Sequence, residues 1–493
     1  MRVEPVGTLE YPPAAVTHCA AEAEGGSLLE RLAEELRARG VEYCQWKGRW
    51  SASRWSIGLS DIDLLVDHEA ISAFRRIAGE LGFKPALAPG VRQIPGVESY
   101  FGHDPEVPRL LHLHVHYRLV VGEWWRTTYR IPIEREVLDS VGTGGLFPVP
   151  APTYQLLIFV LRMVLQQRWQ PFSNPRRLGG IRSRLDDLET GSDRNTLATI
   201  LSRHLPSVDL PFFDRCIKSL RDKCSQLERM AIGHQLRQKM SAHARRPPLL
   251  ALLTAAIERV LPRGLRGMLL DARMRLVGGG TIIALIGGDG AGKSTCAAAL
   301  DSWLGYDFPT MHAHLGRPPR SLLTLAVGGT LKAEGVLNRL THRRPSGPSN
   351  VELLRHVCTA RDRHRLYHKV RRFAATGGVA ICERYPVPEC FSLAGPDIPD
   401  LLPVKASAFG RLLQITEASS YERMLPPDAL FVLRLEPELA VLRKPGEPSD
   451  YVRTRARLIW DIDWSGTRAQ VVDAGRALPE VLTDLRALMW AAL

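Results

Sequence analysis

Residues 281–300 read TIIALIGGDGAGKSTCAAAL, and this stretch narrows the choice of fold more than any other in the chain. Ile282 to Ile286 is an apolar run bounded by glycines, the pattern of a strand buried on both faces of a parallel sheet. The small residues and Leu300 that follow predict a helix. Between them stands GGDGAGKST, with Gly287, Gly292, Lys293 and Ser294 at the fixed positions of G-x-x-x-x-G-K-[ST]. Glycines let the backbone N–H groups of such a loop face inward, and the helix presents its positive end to the same point. The expected ligand is the polyphosphate of a nucleotide, bound by Gly287, Gly288, Asp289, Gly290, Ala291, Gly292, Lys293, Ser294 and Thr295. Lys293 is placed to reach the β and γ phosphates, and the Ser294 hydroxyl to complete the coordination of Mg²⁺. The alternative, a glycine-rich turn matching by chance, is disfavoured by the strand-then-helix context.

A chain of 493 residues exceeds what one hydrophobic core spans, so two or three domains are expected. The formal charge of +13 suits polyanionic ligands, but a nucleotide enzyme needs only a local basic cluster, so nucleic acid is not the expected partner. The 8 cysteines are scattered without C-x-x-C pairs, as in a reduced cytoplasmic protein. MRVEPVGTLEYPPAAV lacks the basic end and apolar run of a secretory signal. No apolar stretch is long enough for an integral membrane segment, since Glu258 and Arg259 break the best candidate, Pro248 to Leu261. Composition shifts and Gly/Pro-rich connectors place the boundaries at 1–145, 146–276 and 277–493.

The first unit opens with SLLERLAEELRAR (27–39), leucines on one helical face and charges on the other, stopped by Gly40. Ile62, Leu64, Leu65 and Val66 mark a strand, and Asp61 and Asp63 alternate onto one face of it, about 7 Å apart at Cα. Carboxylates so spaced can grip Mg²⁺ on a nucleoside triphosphate, or they can simply follow a polar turn, with Asp61 as a cap. Lys47 and Gly48 precede them, and a helix (69–81) and GFKPAL follow. This arrangement, over roughly residues 25–145, resembles nucleotidyltransferases of the polymerase-β type, an α+β fold. The resemblance implies that Asp61 and Asp63 ligate metal and that Lys47 and Gly48 lie near a triphosphate. That family supplies a third carboxylate from a later strand, and the matching segment LHLHVHYRL (111–119) carries His114 there, so the usual general base is missing. His112, His114 and His116 line one strand face at period two, either completing a transition-metal site with the aspartates or forming an inert stripe.

Residues 154–244 are patterned as a helical connector, whose basic residues read as solvated surface. His243 to Arg275 is basic and amphipathic, and is expected to pack on the unit it leads into, with VGGG (277–280) as hinge.

Beyond the loop, Met311 to Gly316 reads as a strand and Glu352 to Ala374 as a long helix rich in Arg and His. Val379 to Cys382 is a strand delivering Glu383 and Arg384 at its carboxyl end, where parallel sheets bind ligands. ALFVLRLE (429–436), a segment with Arg443, Lys444, Arg453, Arg455 and Arg457 around a Pro/Gly break, AQVVDAG (469–475) and a closing helix complete the unit.

In that order, over about residues 280–493, these elements resemble a thymidylate kinase. The resemblance implies a three-layer α/β P-loop kinase domain with a parallel sheet, transferring the ATP γ-phosphoryl group to thymidine monophosphate (dTMP) or a related small acceptor. Carried over by position, Lys293, Glu383 and Arg384 act on the reacting phosphates, and Asp289, Arg363, Arg384 and Tyr385 hold the acceptor. Some members carry an arginine in the loop where this chain has Gly290, which makes Arg443 and Arg453 the catalytic candidates from the lid. The sequence leaves the assembly open, a homodimer being one arrangement it allows. The family's acidic-proline-glycine-glycine segment is replaced by HAHLGRPPRS, and the Asp of its Asp-Arg motif by Glu383, so the acceptor is not fixed by the resemblance. Two other functions remain open. One is a bifunctional kinase and nucleotidyltransferase working on a non-nucleotide acceptor. The other is an ATP-binding switch or scaffold with a degenerate nucleotidyltransferase-like unit.

Overall fold

The computed structural model describes residues 26–48, 50, 52–88, 93–122, 128–142, 145–166, 175–221, 224–245, 273–342, 347–402 and 407–493. The amphipathic segment expected at 243–275 falls largely outside the described residues. The first helix, Leu28–Ala38, starts where the sequence predicts because Ser27 and Glu30 form a reciprocal capping box. It covers a mixed sheet built from β1 (Tyr43–Lys47), β2 (Ile62–Val66), β3 (Lys84–Leu87), β4 (Val97–Gly102) and β5 (Leu111–His116). Its spatial order is β1-β2-β5-β4-β3, with a sixth member, β8 (Arg275–Leu276), at the far edge. β2 and β5 run parallel, pairing Asp63 with His114. A separate hairpin, β6 (Val120–Gly122) and β7 (Thr128–Arg130), leads toward the helical segment.

That segment comprises helices Pro152–Leu165, Pro175–Thr190, Arg194–His204, Leu210–Arg221 and Gln226–Lys239. The first of these is buried on nearly every side, and its Leu156 to Leu161 share one core with Cys44, Trp46 and Leu65 of the first sheet. A helix apolar all round belongs inside, so the connector is an integral layer behind β1.

The C-terminal unit holds a parallel sheet of β9 (Thr281–Gly287), β10 (Thr310–His314), β11 (Val379–Glu383), β12 (Ala429–Arg434) and β13 (Ala469–Asp473). Its order is β10-β11-β9-β12-β13, all parallel, with β9 central and fully buried before its final glycine. Helices Lys293–Leu304 and Leu478–Ala492 lie against one core cluster, and Asn350–Ala375 against the other, so the sheet is covered on both faces. Two further helices, Leu322–Leu340 and Ala408–Glu422, occupy stretches that carry no sequence motif.

The two sheets are joined. β8 pairs Ala86 with Leu276, the Trp490 indole N–H donates to Gly82 O at 3.0 Å, and Phe308 meets Phe101 edge-on at 4.7 Å between ring centroids. Phe101, Leu110 and Leu276 thereby belong to the core of the C-terminal unit. Phe308 is fully buried. Phe308→Ala should therefore lower stability by about 3–5 kcal/mol, the usual cost of emptying a buried aromatic site. Chemical denaturation followed by tryptophan fluorescence reads that loss.

Candidate active site

β9, β11 and β12 end on the same edge, and the chain leaving β9 turns through the glycine loop before helix Lys293–Leu304. Gly292, the helix N-cap, has φ +82°, a left-handed backbone that only glycine adopts without strain. Gly288 answers a packing demand instead: a Cβ there would stand 2.9 Å from Ala456 Cα. Helix Ser449–Trp460 thus rides directly on the loop.

Lys293 is buried at 7% exposure, and its Nζ donates to Gly287 O at 3.0 Å and Gly288 O at 2.7 Å. Burial, aided by repulsion from Arg384, lowers its pKa to about 8. Glu383, the last residue of β11, accepts a hydrogen bond from Ser294 Oγ at 2.6 Å and lies 2.8 Å from His312 Nε2. Arg384 follows with φ +50°, in the left-handed region, and donates to Asp289 Oδ1 at 2.5 Å. Arg455 Nε donates to the other oxygen, Asp289 Oδ2, at 2.7 Å. Burial alone would raise the Asp289 pKa, but the two guanidiniums outweigh it and hold the carboxyl below its usual range. A buried ammonium and two arginines on one carboxylate, at a glycine loop that leads into a helix N-terminus, fit a polyphosphate. The Ser294 hydroxyl and Glu383 carboxylate are hard oxygen donors of the kind Mg²⁺ takes.

The other residues singled out in the sequence lie as follows. Thr295 is exposed on the first turn of the helix. Arg363 is buried and donates to Leu315 O at 2.8 Å and to the Tyr421 hydroxyl. Tyr385 is buried at 1% exposure, its hydroxyl donating to Leu425 O. Arg443 donates to the carbonyls of Ala474 and Gly475, and Arg453 pairs with Glu438 and Asp450. The arginine that the fold brings to Asp289 from this region is Arg455. A signal for it exists in the sequence: Val452, Ala456 and Ile459 form the buried stripe of its helix, and Arg455 stands three and four residues from the outer two. His312 carries the weaker signal of two histidines, with His314, at alternate positions near the end of a strand.

A second polar cluster stands on β2 and β5. Asp63 Oδ1 lies 2.8 Å from Lys47 Nζ, 3.1 Å from His114 Nδ1 and 3.8 Å from His116 Nε2. His116 Nε2 and His114 Nδ1 are 3.3 Å apart, and Asp61 Oδ1 lies 2.8 Å from His112 Nδ1. Burial would raise the Asp63 pKa, yet Lys47 and the neighbouring histidines hold it well below the ordinary range. Burial pushes His116 down to about 3, so its ring is neutral. Asp61, His112 and His114 line a cavity of about 630 Å³ that Met274 and Val277 close from the segment entering the C-terminal unit. Lys47 also lines a pocket of about 160 Å³ with Gly48, Trp50, Arg162 and Arg184, so the helical segment contributes two cations to the space beside Lys47.

A five-stranded parallel sheet with helices on both faces, and a lysine-bearing glycine loop at the carboxyl end of its central strand, define a P-loop kinase-like region. No family model matches the chain. Over 216 residues it is 30% identical to the thymidylate kinase of Symbiobacterium thermophilum, an alignment covering 42% of this chain and 91% of that enzyme. Over 219 residues it is 26% identical to the uncharacterized ATP-binding protein YghS of Escherichia coli, covering 42% of this chain and 92% of that protein. Through this part of its length, the chain belongs to the thymidylate kinase family. No described helix is long and apolar enough to cross a membrane.

Proposed function

We propose that the C-terminal unit is an ATP-dependent phosphotransferase that moves the γ-phosphoryl group to a nucleoside monophosphate or related small acceptor, with dTMP the first candidate. The observation that carries this reading is the pairing of Arg384 and Arg455 on Asp289 at the mouth of the glycine loop, beside Lys293. Phosphoryl transfer needs little covalent help: the protein must align two anions and spread positive charge over the moving group. Lys293 turns from the carbonyls of Gly287 and Gly288 to the phosphates. Asp289 holds two guanidiniums ready, and Arg455 supplies the charge that Gly290 cannot. Ser294 and Glu383 would hold Mg²⁺, whose chemistry is to neutralise the phosphate oxygens. His312 orients the Glu383 carboxylate from its other side.

The test is ADP production by the full chain with ATP, Mg²⁺ and a panel of nucleoside monophosphates. Acceptor-dependent ADP formation is expected, and ADP release indifferent to every acceptor would overturn the reading. Arg455→Ala should lower kcat roughly 10- to 100-fold, one charge-assisted hydrogen bond lost in the transition state, while the KM for ATP moves little. An equal fall in Arg453→Ala, whose partners are Glu438 and Asp450, would contradict the assignment.

One observation favours a second reaction at the amino-terminal cluster: Lys47 pairs with Asp63 and also lines a pocket with Arg162 and Arg184. Three cations around one pocket, one of them paired with a carboxylate, suit a nucleoside triphosphate. Replacing both aspartates with asparagine should then abolish nucleotide transfer onto an added acceptor while leaving ADP production intact.

A further inference from the structure

The cluster on β2 and β5 does not have the composition of a magnesium site. Mg²⁺ demands octahedral oxygen ligands, and here two imidazole nitrogens face one carboxylate oxygen. From Asp63 Oδ1, His114 Nδ1 and His116 Nε2, whose separations are 3.1, 3.3 and 3.8 Å, the geometry points to a site for a divalent first-row transition ion. Around an ion with bonds of about 2.0–2.1 Å, tetrahedral ligand atoms stand roughly 3.3–3.4 Å apart, and a single point lies at about that bond length from all three atoms here. The site stands apart from the phosphoryl transfer proposed at Lys293 but shares Asp63 and Lys47 with the second transfer reaction, so its test reads ion binding directly.

Two further observations support it. The ion-free cluster is frustrated. If His114 Nδ1–H donates to Asp63, then His116 Nε2 faces that same N–H from 3.3 Å, either as a second acceptor or as a competing donor. An ion removes the conflict by accepting both lone pairs. His114 also borders the cavity of about 630 Å³, so a three-residue ligand set leaves a coordination position facing space for a small molecule, the arrangement of reactive rather than structural sites. Imidazole ligands select zinc, iron, cobalt or nickel over magnesium and calcium.

Lys47 gives the site its own diagnostic. Its ammonium lies 2.8 Å from Asp63 Oδ1, the oxygen an ion would take, so an entering cation must displace it. Lys47→Met should therefore bind the ion more tightly, whereas a merely structural histidine cluster would be indifferent to ions in either form.

The experiment is titration of the chelator-treated full chain with Zn²⁺ by calorimetry, repeated with Co²⁺ to read its visible absorption. One ion per chain at this site is expected, undisturbed by millimolar Mg²⁺. Affinity should fall about 100-fold or more in His114→Ala and Asp63→Asn, and rise several-fold in Lys47→Met. His114 is partly exposed, and far-ultraviolet circular dichroism verifies that its variant folds. A second grouping of possible ligands, His356, Asp397 and Glu417, provides the control. Binding that survives His114→Ala but is lost in His356→Ala overturns the inference, as does absence of zinc binding or displacement by Mg²⁺.

Discussion

Lys293→Met should abolish phosphoryl transfer, lowering the rate roughly 10³-fold or more, the scale of removing one charge-stabilising group from such a site. The same variant should be no less stable than the parent. Lys293 is a charged side chain at 7% exposure whose hydrogen bonds among the described residues go to the carbonyls of its own loop, Gly287 and Gly288. Methionine has similar volume and no desolvation cost, so loss of activity without loss of thermal midpoint separates a working lysine from a structural one. Its titration offers a second readout. With a pKa pulled down to about 8 by burial and by Arg384, Lys293 is about half neutral in the free protein at pH 8. Bound polyphosphate favours the charged form, so ATP should take up a fraction of a proton approaching about one half at that pH. Uptake fades as pH falls toward 7, where the lysine is already charged. Calorimetry in buffers of different ionisation enthalpy measures it, and Lys293→Met should eliminate it. Proton release at pH 8 would contradict the assignment.

Arg384→Gly should divide stability from activity in the same way. A non-glycine residue at φ +50° carries a steric cost of about 1–2 kcal/mol that glycine does not. The exchange also removes the pair with Asp289, but that carboxylate keeps Arg455 as partner. The thermal midpoint is therefore expected to hold or rise, while transfer falls roughly 10²–10³-fold for want of a guanidinium at the phosphates. Arg384→Lys should keep the charge and lose the fork, giving an intermediate rate. Transfer within tenfold of the parent in Arg384→Gly would exclude this arginine from the reacting centre. Backbone strain kept at such a position is the trade between stability and activity that functional sites carry.

The parts of this unit that depend on neighbours in sequence are the legible ones. The strand Thr281–Gly287, the loop, and the helix beginning at Lys293 follow from an apolar run, glycines and a helix start within twenty residues. The same holds for Ser27 and Glu30, which close a capping box over one turn. The choice among arginines is a different matter. Arg453 and Arg455 are two residues apart on one helix and so point about 200° away from each other. One meets Glu438 and Asp450 and the other Asp289, and the difference is set by which face of the helix packs on Gly288. Arg443, equally basic and equally near the Pro/Gly break, turns to the carbonyls after β13.

The amino-terminal unit repeats the contrast. Period-two spacing is enough to put His112, His114 and His116 on one face of a strand. That His114 stands beside Asp63, 51 residues away, is a matter of parallel register between β2 and β5. β8 is two residues long, too short for any periodicity, and only its pairing with β3 shows that the segment before the glycine loop closes the first sheet. Arg162 and Arg184 look like ordinary helix residues until the connector packs behind β1 and brings them to Lys47.

Alone, the sequence determined the strand, the glycine-loop cradle and the helix that begins at Lys293, because strand, turn and helix propensities act over a few residues. Tertiary structure decided which cations and imidazoles surround that cradle and the Asp63 cluster. The direction of a long side chain depends on helix phase and strand register, and both are fixed by buried contacts between segments far apart in the chain.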